Sequence, residues 1–282
     1  MKVVKTVAEL RSVLRAERKQ NQSIGLVPTM GALHEGHLAL MQKARQDNDV
    51  TVASIFVNPI QFGPDEDLDS YPRTLLSDQQ QADEQGVDIL FIPTVEEMYP
   101  RKLRTKVVVT EGTDVLCGSS RPGHFDGVAT VVLKLFQIIQ PDRAYFGEKD
   151  AQQVAVIDNM VHDLNIPVTI VPVATVREKD GLALSSRNVN LTKKERQEAP
   201  YLYKSLQQTA CEIENGNTDY AKLANDMRAF LTDHTSALVD YAEILTFPLL
   251  EKVDNNSKRI IIAAALKFAK ARLIDNIILD RN

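Results

Sequence analysis

The sequence predicts an α/β fold: a doubly wound parallel sheet followed by a smaller C-terminal α+β domain. Three observations predict it. Short segments rich in Val and Ile take turns with amphipathic helical segments through the first two-thirds of the chain. Those apolar segments do not alternate cleanly between apolar and polar residues, as parallel strands buried on both faces should not. The pattern then changes after about Val176, where two helical stretches precede two strand-like runs.

Strand candidates occupy residues 23–28, 50–57, 87–93, 143–147 and 167–173, and helical patterns fill 36–47, 75–86, 128–140 and 150–165. Alternation of this kind builds a Rossmann-like sheet with helices on both faces. Residues 192–215 and 219–233 read as helices, with Thr192 and Glu195 placed for a capping box. Runs at 239–246 and 259–267, then a closing apolar run at 276–279, complete the second domain. The reading is a first domain over residues 1–176 and a second over 177–282, with the loop 177–190 at the junction.

A chain of 282 residues suffices for one large domain or two moderate ones. The net charge of −5 disfavours an extended nucleic-acid surface but leaves room for a local basic pocket. Cys117 and Cys211 form neither a CxxC pair nor a zinc spacing, and read as free thiols of a reducing compartment. Met1-Lys2-Val3-Val4-Lys5 opens no apolar leader. The longest clean apolar run, residues 260–266, falls far short of the ~20 residues that span a bilayer. The expectation is a cytoplasmic protein with neither membrane nor nucleic-acid partners.

The chemistry centres on His34-Glu35-Gly36-His37, where the first predicted strand hands over to a helix. Open α/β sheets bind ligands at such junctions, and free helix amides hold phosphate there. A three-residue spacing puts both imidazoles on one helix face. Two such rings suit a polyphosphate under attack at its α-phosphorus, a reaction that needs positioning and charge neutralisation. A zinc helix would need histidines at i and i+4 with a third ligand. Two surface histidines by chance, among five in the chain, are the plain alternative.

Further candidates follow in order. Asn58 and Gln61, after the second strand, carry paired donors and acceptors suited to a small hydroxy acid, although Asn-Pro could equally make only a turn. The acidic run Asp65-Glu66-Asp67-Leu68-Asp69 lacks the central Gly and terminal Glu of a calcium loop and reads as solvated. Arg121 and His124 flank Pro122-Gly123 in a loop that could bring cations over phosphate or form an exposed turn. At Gly147-Glu148-Lys149-Asp150, Gly147 permits close backbone approach and Lys149 offers a point charge. Asp150 could cap the next helix or receive a ribose hydroxyl. Ser185-Ser186-Arg187 sits in a loop that could close over a triphosphate, a weak signal by itself.

These strings have a joint resemblance. His34-x-Gly36-His37 is similar to the motif of the HxGH nucleotidyltransferases and class I aminoacyl-tRNA synthetases. Leu184-Ser185-Ser186-Arg187 resembles the latter's KMSKS loop, with Leu184 for the Met and Arg187 for the second Lys. The wider strings occur in one order and end on Ala271-Arg272-Leu273-Ile274-Asp275-Asn276. In that order they resemble the pantoate–β-alanine ligase (pantothenate synthetase) family over essentially the whole chain.

The resemblance implies condensation of pantoate with β-alanine through a pantoyl adenylate, with ATP as substrate, Mg2+ and a homodimer. It implies ATP binding by Pro28, Thr29, Met30, Gly31, Ala32, Leu33, His34, Glu35, Gly36 and His37. Gly147, Glu148, Lys149 and Asp150 join them, as do Val176, Leu184, Ser185, Ser186 and Arg187. Asn58, Gln61, Gln153, Arg121 and His124 would hold pantoate and β-alanine. His37, His34, Lys149 and Arg187 would be catalytic. Asp78 and Gln81, three apart on one helix, match positions associated with magnesium. One departure is Cys117 before Gly118, where the family usually carries glutamate. Another HxGH nucleotidyltransferase acting on a phosphorylated metabolite is the alternative enzyme. An RNA-associated module without ligase activity is the alternative of another class.

Overall fold

Residues 24–29 and 50–55 are apolar and buried almost throughout, so both faces of these strands are covered. They form the centre of the sheet in the computed structural model, which describes residues 1–282 apart from Asp65, Asp67, Ser70 and Asn282. The acidic run at 65–69 thus lies partly outside the described residues. In chain order the elements begin with β1 (Lys2–Val4), α1 (Val7–Lys19), β2 (Ile24–Thr29), α2 (Glu35–Asp47) and β3 (Val50–Ile55). There follow α3 (Leu75–Glu84), β4 (Ile89–Phe91), α4 (Val95–Met98), α5 (Leu116–Ser120), α6 (His124–Ile139) and β5 (Arg143–Gly147). Next come α7 (Ala151–Asp163), β6 (Thr169–Val173), α8 (Lys193–Glu198), α9 (Tyr201–Glu214) and α10 (Tyr220–His234). The chain closes with β7 (Leu238–Thr246), β8 (Arg259–Lys267) and β9 (Arg272–Asp280).

The chain divides into two compact units, and the division is not one cut. The first comprises Met1–Val109, Gly123–Glu148 and Val156–Ala174; the second comprises Thr110–Pro122, Lys149–Ala155 and Thr175–Asn282. The expected boundary after Val176 falls two residues past the last change of unit. Two earlier segments belong with the second unit because their polar groups are satisfied there. The Cys117 amide donates to Gln152 Oε1, and the Cys117 Sγ lies 3.4 Å from the Tyr241 hydroxyl on β7.

In the first unit the strands lie in the order β1-β4-β3-β2-β5-β6, with every pairing parallel. From β2 the chain steps to β3 and β4, then crosses to β5 on the other side of β2. The switch point therefore lies at the carboxyl ends of β2 and β5, where a crevice opens in doubly wound sheets. In the second unit β7, β8 and β9 form an antiparallel sheet. Ile260, Ile262, Ala264 and Leu266, alternate residues of β8, share a core with Leu206, Leu223, Met227 and Leu231 of α9 and α10.

Three departures from the expected elements have local causes. β1 and α1 lie outside the predicted elements, because β1 is three residues long and only Val4 in it is buried. The expected helix over 192–215 breaks into α8 and α9 at Pro200, which has no N–H to continue the ladder. The closing strand spans nine residues because Asp275 and Asn276 pair within the sheet as fully as the apolar residues beside them. Among the described residues, no helix is long and apolar enough to cross a membrane.

Candidate active site

The candidates of the first unit begin where β2 ends. Thr29 Oγ1 donates to the Ser54 carbonyl and accepts the Gly31 amide, turning the chain out of the sheet. Gly31 (φ 84°) and Ala32 (φ 50°) both take left-handed conformations, which a non-glycine residue holds only when its surroundings impose them. Asp78 imposes it here. From α3, its carboxylate accepts the Ala32 amide at 3.1 Å, the Leu33 amide at 2.9 Å and the Thr74 hydroxyl at 3.0 Å.

His34 is then the N-cap of α2. Its Nδ1 accepts the Gly36 amide at 3.2 Å, while its own amide donates to the His37 Nδ1 at 3.4 Å. The ring centroids are 4.1 Å apart. The two histidines thus form a reciprocal capping box, a role more usual for Ser/Thr with Glu. Because both Nδ1 atoms accept, the hydrogen-bond pattern assigns the ring proton of each to Nε2. Each imidazole then carries its proton on Nε2. Gly36 makes room for this: a Cβ there would stand 3.0 Å from His34 Cε1. Glu35 is exposed in the first helical turn, and the Leu33 side chain is buried in the core, so any contact of Leu33 with a nucleotide is through its backbone.

The end of β3 supplies the next group. Asn58 and Gln61 bracket a short 3-10 turn, Pro59–Gln61. Gln61 Nε2 lies 3.3 Å from Met30 Sδ, and its backbone carbonyl faces His124 Nδ1 at 2.8 Å. Asn58 is 1% exposed. Its Nδ2 donates to both Gln61 Oε1 and the Gly127 carbonyl, and its Oδ1 accepts from the Tyr99 hydroxyl at 2.7 Å. Burial pushes the Tyr99 phenol up, so it remains a donor. With both amide hydrogens engaged, Asn58 sets the Gln61 side chain rather than donating to a substrate. His124 is the first residue of α6 rather than part of a loop before it.

The family resemblance associates Asp78 and Gln81 with magnesium, and the donor set does not fit. Asp78 is 1% exposed and both its oxygens accept protein donors, while Gln81 Nε2 donates to Ser77 on its own helix. Among the described residues, no group of three or more His, Cys, Asp or Glu could hold a metal.

The second unit carries most of the remaining candidates. Lys149 sits in the 3-10 turn Glu148–Asp150, its Nζ 3.7 Å from Asp150 Oδ2. Gln153 is half-buried in the first turn of α7. Its neighbour Gln152 is buried, and its Nε2 donates to the carbonyls of Gly112 and Val115. Arg121 is the C-cap of α5. Leu184 donates its amide to the Val176 carbonyl, and Ser185 Oγ accepts the Arg187 amide at 3.2 Å, so the Ser-Ser-Arg segment is a defined turn. Gly147, in the first unit, would meet no atom within 4 Å of an added Cβ, leaving space for a close approach.

Sequence reasoning missed Tyr99 and Gly127, which touch the candidate Asn58, and Gln152, which holds the Cys117 segment. Only Gly127 left a sign, as a glycine immediately before the predicted apolar helix 128–140. A Cβ there would stand 2.5 Å from the Ile60 carbonyl oxygen, so glycine lets α6 lie against the 3-10 turn.

Known proteins resemble this chain in sequence and fold. A family model described as pantoate-beta-alanine ligase matches residues 2–278. A protein named pantothenate synthetase from Halalkalibacterium halodurans is 55% identical over 278 residues, 99% of this chain and 98% of its own. The crystal structure of pantothenate synthetase from Thermus thermophilus matches with a TM-score of 0.92 and 47% identity, covering 98% of this chain and 99% of that one. A pantoate-beta-alanine ligase from Francisella tularensis, solved with beta-gamma ATP and beta-alanine, matches with a TM-score of 0.79 and 38% identity, covering 98% and 97%. Matched over nearly its whole length, the chain belongs to the pantoate–β-alanine ligase family, and its reaction is the ATP-using condensation of pantoate with β-alanine.

Proposed function

We propose that this condensation proceeds through a pantoyl adenylate formed at the end of β2. The pantoate carboxylate attacks the α-phosphorus of ATP and pyrophosphate leaves. The β-alanine amine then attacks the acyl carbon, forming the amide and releasing AMP. The observation that carries the proposal is the two-histidine cap, whose Nδ1 atoms accept backbone amides and whose protons therefore sit on Nε2. Donors of this kind stabilise negative charge that grows in the transition state, and no covalent enzyme intermediate is needed.

In this reading His37 and His34 neutralise the α-phosphate and leaving pyrophosphate, with His37 the proton donor. Lys149, Ser185, Ser186 and Arg187 grip the phosphates. Met30 and Val176 line the nucleotide pocket, while Gln61, Gln153, Arg121 and His124 hold pantoate and β-alanine. The magnesium that the family resemblance implies would find its hard oxygen ligands on the triphosphate itself rather than on Asp78 and Gln81. The reading extends to a homodimer, which the family resemblance implies, and to a cytoplasmic location; sedimentation equilibrium checks the first and cell fractionation the second.

The test has two arms. AMP release should require both pantoate and β-alanine, and ATP–pyrophosphate exchange should require pantoate alone. Exchange that needs β-alanine would exclude the adenylate.

A further inference from the structure

Asp275 stands out on β9. It shares a strand face with Leu273 and Ile277, which pack into the apolar core of the second unit, yet it is a carboxylate only 3% exposed. Its partner is Arg177, which approaches as a two-pronged fork: Nη1 to Oδ2 at 2.5 Å and Nη2 to Oδ1 at 2.9 Å. The guanidinium lies 3.6 Å from the Tyr203 ring centroid and also donates to the Gly181 carbonyl at 3.1 Å.

A buried ion pair is a poor source of stability, because desolvation of both charges offsets most of their attraction. What it does provide is geometry, since planar bidentate pairing and stacking fix a guanidinium in position and angle. Here it fixes the root of the Ser-Ser-Arg loop. Arg177 bridges Ala183 across a turn whose Gly181 has φ 92°, and Leu184 bonds back to Val176. Asn188 Nδ2 then returns to the Ala183 carbonyl at 3.1 Å, closing the loop on that root.

The next residue reaches the other cationic element. Asn276 donates its backbone amide to Asp275 Oδ1 at 2.8 Å and its side-chain Nδ2 to the Lys149 carbonyl at 3.0 Å. One dipeptide on β9 is thus bonded to the backbone that carries Lys149 and to the arginine that anchors residues 184–187.

We propose that Asp275 and Asn276 are positioning residues that hold Lys149 and the Ser185-Ser186-Arg187 loop in register for the adenylate-forming step, with Arg177 as the link. This rests on the phosphate-binding roles given to Lys149 and Arg187 above. Misplacement of such groups by about 1 Å costs on the order of 10²-fold in rate.

The experiment compares Asp275→Asn, Arg177→Lys and Asn276→Ala with the unaltered enzyme. Arg177→Lys keeps the charge and loses the fork and the stacking. Pantoate-dependent ATP–pyrophosphate exchange should fall about 10- to 100-fold in Asp275→Asn and Arg177→Lys. Amide formation from preformed pantoyl adenylate and β-alanine should stay within about threefold of the unaltered enzyme, because that step has no triphosphate to grip. Asn276→Ala should raise the KM for ATP more than it lowers kcat. Hydrogen exchange, read without substrates, should show faster exchange at residues 177–188 in Asp275→Asn and at 149–152 in Asn276→Ala. Folded variants with unchanged ATP–pyrophosphate exchange, or an equal loss in both half-reactions, would overturn the proposal. Absence of pantoate-dependent exchange in the unaltered enzyme would instead overturn the adenylate reading, and the hydrogen-exchange arm would still decide the positioning role.

Discussion

Asp78 Oδ1 accepts the Leu33 amide at 2.9 Å across 45 residues of chain, and its Oδ2 accepts the preceding amide of Ala32. A carboxylate on α3 thereby holds the two residues that lead into the histidine cap. Asp78→Asn keeps the size but turns an N–H toward one of those amides. Adenylate formation should fall on the order of 10²-fold, and stability by about 1–3 kcal/mol. Exchange kinetics and urea unfolding measure the two. Gln81→Ala, by contrast, should leave the magnesium dependence of the rate unchanged.

The histidine cap makes a spectroscopic prediction and a kinetic one. Nitrogen-15 NMR should find both His34 and His37 in the Nε2–H form in the ligand-free enzyme, because each Nδ1 accepts a backbone amide. His37→Ala should slow adenylate formation by ~10²-fold or more; near-normal exchange would remove it from the mechanism. His34→Ala should also lose about 1 kcal/mol of stability as a missing cap.

Gly36→Ala leaves both imidazoles in the chain but sets a Cβ 3.0 Å from His34 Cε1. The ring must turn, so adenylate formation should drop about tenfold or more while ATP binding changes less. Single-turnover kinetics at saturating ATP separates the two effects.

At Gly127 an added methyl would press on the Ile60 carbonyl at 2.5 Å and on Gln61 Cα at 2.6 Å. Overpacking of this kind costs about 1–3 kcal/mol. Displacement of Gln61 should raise the KM for pantoate while the KM for ATP stays near its original value. Steady-state kinetics on Gly127→Ala checks the split.

Gln152→Ala strips the Cys117 amide and the Gly112 and Val115 carbonyls of a shared partner. Buried polar groups left alone cost about 1–3 kcal/mol each and do not add simply. A loss of about 3 kcal/mol in urea unfolding is expected.

The sheet and the histidine pair were legible because each is written locally. A buried parallel strand is a short apolar run, and a three-residue spacing fixes which helix face two rings share. The cap itself was not foreseen, since imidazole seldom plays that part. The magnesium role of Asp78 and Gln81 came from the family resemblance, not from the residues themselves. A match of motif positions does not show that both Asp78 oxygens are already bonded to a turn far back in the chain.

The sequence by itself determined the parallel sheet, the order of the motifs and the family, because apolar period and local spacing survive in one dimension. Tertiary structure alone decided what holds the motifs in place. Tyr99 meets Asn58 across 41 residues, Asn58 meets Gly127 across 69, and Arg177 meets Asp275 across 98. The second unit gathers two segments from within the span of the first. Such pairings depend on where crossovers return the chain, and no pattern within a single segment encodes that.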